Sequence, residues 1–212
     1  ATGDPGGVRS EHTATLLNDG RVLITGGLGE GESGSWLNSA RLYDFSGAVS
    51  AAAGFMTTSR SNHTATLLTT GPDAGKVLIT GGVSNGDEPV ASVELYDPST
   101  DIFSSAGQGM NVTRAHHTAT RLSDGKVLIA GGIGPGPLSS AELYDGGTFV
   151  PISSSSMSVT RFNHTATLLG NGKVLITGGS SDKHAELYTP GEDGTVGTFQ
   201  TIAEMTVARS NH

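Results

Sequence analysis

Residues 12–17 read His12-Thr13-Ala14-Thr15-Leu16-Leu17, and the stretch returns as His63 to Leu68, as His117 to Leu122 with Arg121 in the fifth place, and as His164 to Leu169. A second stretch follows each copy: Arg21-Val22-Leu23-Ile24-Thr25-Gly26-Gly27, Lys76 to Gly82, Lys126 to Gly132 with Ala130 for Thr, and Lys173 to Gly179. A third is Ala40-Arg41-Leu42-Tyr43-Asp44, matched by Val93 to Asp97, Ala141 to Asp145 and Ala185 to Thr189. A short fourth block carries Phe103, Phe149 or Phe199, with Val49 in that role in the first copy. Each copy closes on Met, three residues, Arg, two residues, His, as in Met56/Arg60/His63. The equivalent histidines His12, His63, His117, His164 and His212 stand 51, 54, 47 and 48 residues apart.

A period near 50 residues means one supersecondary unit repeated. Each block has strand length, and no stretch shows sustained helical periodicity. One repeat is therefore expected to be a four-stranded antiparallel sheet, its strands labelled A to D in chain order. Asp19-Gly20, Asp124-Gly125 and Asn171-Gly172 supply the positive φ angles of tight A–B hairpins. The second A–B turn, Thr69 to Gly75, is longer. Strands A and B are nearly unbroken apolar-plus-Thr runs, the pattern of strands covered on both faces. The diglycines ending strand B permit a sharp exit and close approach by a neighbouring sheet.

These motifs resemble kelch repeats, most of all the prokaryotic pattern R-x-x-H-T-A-T-L-L…G-K-V-L-I-T-G-G…A-E-L-Y-D, from about Arg9 to His212. The resemblance implies an all-β kelch-type β-propeller of four four-stranded antiparallel blades, spanning about residues 9–59, 60–113, 114–160 and 161–208. It places strand A at the central axis and strand D at the rim. Residues 209–212, Arg-Ser-Asn-His, repeat Arg60 to His63 letter for letter and read as the start of a fifth repeat. The expectation is a longer array or a larger propeller, with the outer faces of the first and fourth blades awaiting neighbours or self-association.

Composition narrows the function classes. The 212 residues carry a net charge of −8 and no Lys/Arg run, which argues against nucleic acid as a partner. No apolar stretch reaches the roughly 20 residues of a membrane-spanning helix. There is no cysteine, hence no disulfide, thiolate metal site or cysteine nucleophile. Kelch oxidases resembling galactose oxidase use copper and a Cys–Tyr cross-link, and that chemistry in its family form is excluded here. No G-x-S-x-G, H-E-x-x-H or phosphate loop occurs. Glycoside hydrolysis needs two facing carboxylates; Asp87, Glu88, Asp182 and Glu186 are available, but nothing marks a pair. No catalytic residue, metal or other cofactor is assigned.

Residues that recur in every repeat usually serve stacking. The histidines opening strand A, which could ring the axis and bind a metal, are read instead as corner residues. The recurring Arg9, Arg60, Arg114, Arg161 and Arg209 could line an anion-binding face; the preferred reading pairs them with Glu94, Glu142 and Glu186, because an arginine fork matches a carboxylate. Arg41 stands in the Glu position of the first repeat, so that pairing must differ there. Asn62 and Asn163 lie in Asn-x-Thr sequons that belong to the repeat, whereas Asn111, in a D–A loop, is the sequon expected to be accessible.

Function is sought in residues outside the repeat, on loops. The B–C loops vary most, and the resemblance places them with the D–A loops on one end. Trp36, the only tryptophan, is the candidate to stack on a sugar or anchor a partner. Asp87, Glu88, His116, Arg121 and Asp182 complete the candidate ligand-binding set. The reading is a secreted or surface-exposed module that binds a protein or glycan, the alternatives being a structural repeat of a larger extracellular assembly and a carbohydrate-active enzyme.

Overall fold

The computed structural model describes residues 8–30, 35–44, 49–153, 155–181, 183–192 and 195–211. Sheet 1 is formed by β1 (Thr13–Leu16), β2 (Val22–Thr25), β3 (Ser39–Tyr43) and β4 (Val49–Phe55). Sheet 2 comprises β5 (Thr64–Leu67), β6 (Val77–Thr80), β9 (Val93–Asp97) and β10 (Ile102–Ser105), with a two-stranded hairpin, β7 (Val83–Ser84) and β8 (Glu88–Pro89), inserted in its B–C loop. Sheet 3 holds β11 (Thr118–Arg121), β12 (Val127–Ala130), β13 (Ala141–Asp145) and β14 (Thr148–Pro151). Sheet 4 holds β15 (Thr165–Leu168), β16 (Val174–Thr177), β17 (His184–Thr189) and β18 (Thr198–Glu204). Every sheet is antiparallel with strands in sequence order, A beside B beside C beside D. Register repeats with the sequence: Thr13 pairs Thr25, Thr64 pairs Thr80, Thr118 pairs Ala130 and Thr165 pairs Thr177.

The A strands lie side by side in the order β1, β5, β11, β15, and no comparable packing joins β15 to β1 among the described residues. This is a propeller-like arrangement of successive sheets stacked face to face. Three apolar layers fill the gaps. Leu17, Leu23 and Leu42 of sheet 1 meet Val77, Ile79 and Tyr96 of sheet 2. Leu68, Leu78 and Leu95 meet Val127, Ile129 and Tyr144. Leu122, Leu128 and Leu143 meet Val174, Ile176 and Tyr188. Strand B thus supplies alternate residues to opposite layers, and all four residues of β6 and of β12 are buried. Where a layer has no second sheet, the same sequence is wet. Leu67 packs against sheet 1, while Leu16, its equivalent on the outer face of sheet 1, is 61% exposed.

The strand C tyrosines seal the layers, each ring tilted against a strand D phenylalanine: Tyr96 on Phe103, Tyr144 on Phe149, Tyr188 on Phe199. Tyr144 donates from its hydroxyl to Asp73 in the long A–B turn of sheet 2, so the ring also ties two sheets.

The diglycines show why glycine is required at the end of strand B. Gly81 and Gly82 have φ of +61° and +98°. A Cβ on Gly81 would strike the carbonyl oxygen of Arg114, and one on Gly82 that of Ser61. The backbone N–H of Gly82 donates to that same Arg114 carbonyl at 2.9 Å, as Gly27 does to Arg60, Gly132 to Arg161 and Gly179 to Arg209. The segment opening each repeat is therefore clasped by the sheet before it.

Candidate functional site

The arginine so clasped turns its side chain into its own sheet. Arg60 donates to the carbonyls of Gly81 at 2.6 Å and Ser92 at 3.1 Å, and to Glu94 at 2.9 Å. Arg114 does the same with Gly131, Ser140 and Glu142, and Arg161 pairs with Glu186 at 3.0 Å. All three arginines are fully buried, and burial lowers the pKa of Arg60 and Arg114 from the ordinary guanidinium value, against the pull of their glutamates. Each glutamate also accepts backbone N–H groups from the preceding D–A loop: Thr57 and Thr58 on Glu94, Asn111 and Val112 on Glu142, Ser158 on Glu186. This network holds the D–A loops in place. The Asn111 side-chain amide is part of it, donating to Glu142 at 2.7 Å and to the Phe149 carbonyl at 3.1 Å. Asn111 itself is exposed, so the sequon read as accessible lies at the surface with its amide engaged in these bonds.

The histidines reach the other way, into the preceding sheet. His63 Nε2 lies 3.1 Å from Thr13 Oγ1 and 3.0 Å from Thr25 Oγ1, and these hydroxyls are 2.7 Å apart. His117 repeats the triangle with Thr64 and Thr80. In sheet 3 the second threonine is Ala130, and His164 bonds Thr118 at 2.9 Å. Desolvation, with Arg60 and then His12 nearby, lowers the His63 pKa to about 3; the same burial, with Arg114, holds His117 well below the ordinary imidazole value. Both rings are therefore neutral at pH 7, and their Nε2 atoms are committed to hydroxyls rather than turned to a common centre. Among the described residues no three His, Cys, Asp or Glu side chains converge to hold a metal. The donor set does not fit a copper site.

One residue before each histidine the backbone turns left-handed: Glu11, Asn62, His116, Asn163 and Asn211 have φ between +51° and +56°. Their backbones form a ladder around the A strands, Asn62 donating to Glu11, His116 to Asn62, Asn163 to His116 and Asn211 to Asn163, at 3.0–3.1 Å. Asn tolerates this conformation best among side-chain-bearing residues. His116 occupies the corner position of its repeat, and its Nδ1 lies 2.9 Å from Asn163 Oδ1. These corner side chains border a polar axial depression of about 230 Å³.

The B–C and D–A loops share this end. Leu37 donates to Gly27, Met56 to Asn38 and Arg60 to Leu37, so the first B–C loop is stitched to the D–A loop that follows sheet 1. Trp36, half-buried and bridged to Leu28, walls a cleft of about 410 Å³ completed by Asn38, Thr57, Thr58, Ser59, Ser84 and Asn85. Thr57 and Thr58 are held by Glu94, and Ser59 Oγ donates to Asn85 Oδ1 at 3.3 Å. The cleft is therefore preformed, with one aromatic wall and a lining of hydroxyls and amides.

The remaining candidates fall elsewhere. Asp87 and Glu88 are exposed at the tip of the β7–β8 hairpin, Asp87 with φ +61°. Arg121 donates from Nη1 to the Leu67 carbonyl at 3.2 Å, tying sheet 3 to sheet 2 in the slot that leucine fills in the other repeats. Asp182 lies outside the described residues. Glu186, one of the four acids considered for glycoside hydrolysis, is buried against Arg161. The structure therefore brings Trp36 together with Asn38, Ser59 and Asn85 rather than with the acids. Sequence reasoning missed these partners because each is an ordinary polar loop residue, and their convergence depends on how two B–C loops flank one D–A loop.

Clefts also occur between successive sheets at the opposite, hairpin end: Asp19, Lys76 and Asp97 line one of about 380 Å³, and Asp124, Lys173 and Glu192 another of about 330 Å³. They are built from equivalent positions of the repeat and follow from the stacking.

The fold places the chain among all-β proteins with propeller-like architecture. Solved structures agree. The structure titled "Structure of YjhT" superposes with a TM-score of 0.76 over 98% of this chain and 74% of its own, at 17% identity. A fungal alcohol oxidase of the AA5 family, in complex with copper, superposes with a TM-score of 0.71 over 95% of this chain and 43% of its own, at 19% identity. At these identities the likeness is one of fold. No family model matches the sequence, and no curated protein matches it.

Proposed function

We propose that this chain is a kelch-type binding module that recognises a glycan through the cleft beside Trp36, as part of a secreted or cell-surface protein. The observation that carries the reading is the composition of the cleft: one tryptophan face set against Asn38, Ser59, Asn85 and neighbouring hydroxyls, with no charged side chain among its lining residues. A sugar presents an apolar face of C–H bonds to stack on an indole and a rim of hydroxyls for amides and serines. Trp36 and Asn85 sit on B–C loops that differ between repeats, which separates them from residues retained for stacking. The secretory or surface setting rests on the same reading, since extracellular glycans are met there.

The test is an array of plant, fungal and bacterial glycans, followed by calorimetric titration of any hit. Replacement of Trp36 by Ala should weaken binding at least about tenfold, or about 1.4 kcal/mol, with unfolding unchanged. No glycan hit, together with a protein captured through the same face, would replace the glycan with a protein partner. Unchanged affinity in the Trp36 variant would remove this cleft from the site.

A further inference from the structure

The four sheets carry the same arginine in the same setting, and in one the carboxylate is gone. Arg9 donates from Nη1 to the carbonyls of Gly26 and Ser39 at 3.0 and 3.3 Å, and from Nη2 to Ser39 Oγ at 3.3 Å. Arg60 makes the equivalent bonds to Gly81, Ser92 and Ser92 Oγ, and its Nη2 then continues to Glu94 at 2.9 Å. In sheet 1 the residue in the Glu94 position is Arg41. A second arginine therefore stands at the register position from which sheets 2, 3 and 4 each supply a buried carboxylate. The Nε atoms of Arg9 and Arg41 have no hydrogen-bond partner among the described residues, as is also true of Arg60 and Arg114, so what sets sheet 1 apart is the missing carboxylate at Nη2. Burial, and after it the charge of Arg41, lowers the pKa of Arg9.

Arg41 is close enough for its charge to act on Arg9, and two like charges at one site are disfavoured unless an anion offsets them. Guanidinium forks match carboxylate, phosphate and sulfate oxygens in geometry and charge. From this internal comparison we infer that the Arg9–Arg41 pair in sheet 1 is a binding site for an oxyanion. The anion takes the place that the glutamate carboxylate takes in the other three sheets. The site lies apart from the Trp36 cleft and does not depend on a glycan being bound there. In sheet 1 the lock on the arginine is thereby changed from a fixed side chain to an exchangeable ligand, and the order of this sheet becomes dependent on anion concentration.

The probe is inorganic phosphate, titrated at pH 7 into the full chain at constant ionic strength held with sodium chloride. Binding is read by calorimetry and by the Arg Nε–H signals in NMR. Saturable binding at one site is expected, with the Arg9 and Arg41 signals moving together. Phosphate at ten times its Kd should raise the folded-to-unfolded ratio about elevenfold over the chloride control. Arg41→Glu restores the pairing of the other sheets; it should fold, abolish phosphate binding and unfold at a higher temperature than the wild type in phosphate-free buffer. Arg41→Gln, which removes the charge without supplying a carboxylate, should also lose binding. Phosphate binding that survives in both variants would overturn the proposal, as would an absence of saturable binding in the wild type.

Discussion

Replacing Glu142 by Ala isolates the contribution of the buried arginine–glutamate network. Glu142 is 1% exposed and Arg114 fully buried, so the variant leaves a guanidinium without its countercharge in a water-excluded site. Removing one partner of such a pair costs about 3–5 kcal/mol. Two of the three bonds Glu142 also accepts come from Asn111, which is exposed and can turn to water, so they add little. With a urea m-value of about 2 kcal/mol/M, a loss of about 4 kcal/mol moves the unfolding midpoint down by about 2 M. Arg114→Met combined with Glu142→Leu removes both charges and should recover most of the loss, to within about 1–2 kcal/mol of wild type. Asp145→Asn, at an exposed pair 3.7 Å from Lys126, should stay within about 0.5 kcal/mol. The assay is equilibrium urea unfolding followed by circular dichroism. Glu142→Ala within about 1 kcal/mol of wild type, or a double variant as damaging as the sum of its singles, would refute the reasoning.

The buried histidines set a pH dependence. His63 titrates near pH 3 in the fold and His117 well below its ordinary value, whereas in the unfolded chain both titrate near 6.5. Below pH 6.5 the unfolded chain binds protons that the fold does not, so stability falls with pH toward 3, each ring contributing about 1.4 kcal/mol per pH unit. The two together should cost on the order of 4 kcal/mol between pH 7 and pH 5, and His63→Gln should roughly halve that slope in urea titrations across the range. Gly81→Ala combines a left-handed backbone with overlap of the Arg114 carbonyl and should cost more than about 3 kcal/mol, while Gly107→Ala, at φ +87° with open space around it, should cost about 1 kcal/mol. Thermal melts of the two variants side by side check this, and equal losses would remove the interlock from the explanation.

Most of the fold was legible because the repeat states it four times. The A–B hairpins form where the Asp-Gly and Asn-Gly pairs stand, and Gly20, Gly125 and Gly172 carry φ of +87°, +90° and +81°. The all-β sheets follow the blocks, with shorter strands than the blocks suggest, because Leu17, Leu68, Leu122 and Leu169 already belong to the hairpin turns. The arginine–glutamate pairs were readable from chemistry alone. The direction of each tie was not: that an arginine backbone belongs to one sheet and its side chain to the next emerges only from the stacking. The histidine partners were hidden for the same reason, since Thr13 and Thr25 belong to the repeat before that of His63. At the candidate site only Trp36 was visible, by its rarity. Asn38, Ser59 and Asn85 carried no signal in the sequence, and His116, which looked singular beside His117, takes the corner position that Asn62 and Asn163 take elsewhere.

The most direct test of the binding account is an NMR titration of isotope-labelled protein with a glycan taken from the array. The account predicts that the Trp36 indole N–H and the amides of Asn38, Ser59, Ser84 and Asn85 shift together and saturate at one affinity. Shifts confined to the hairpin-end clefts around Asp19, Lys76 and Asp97, or to the axial corner residues Glu11, Asn62 and His116, with Trp36 unmoved, would contradict it.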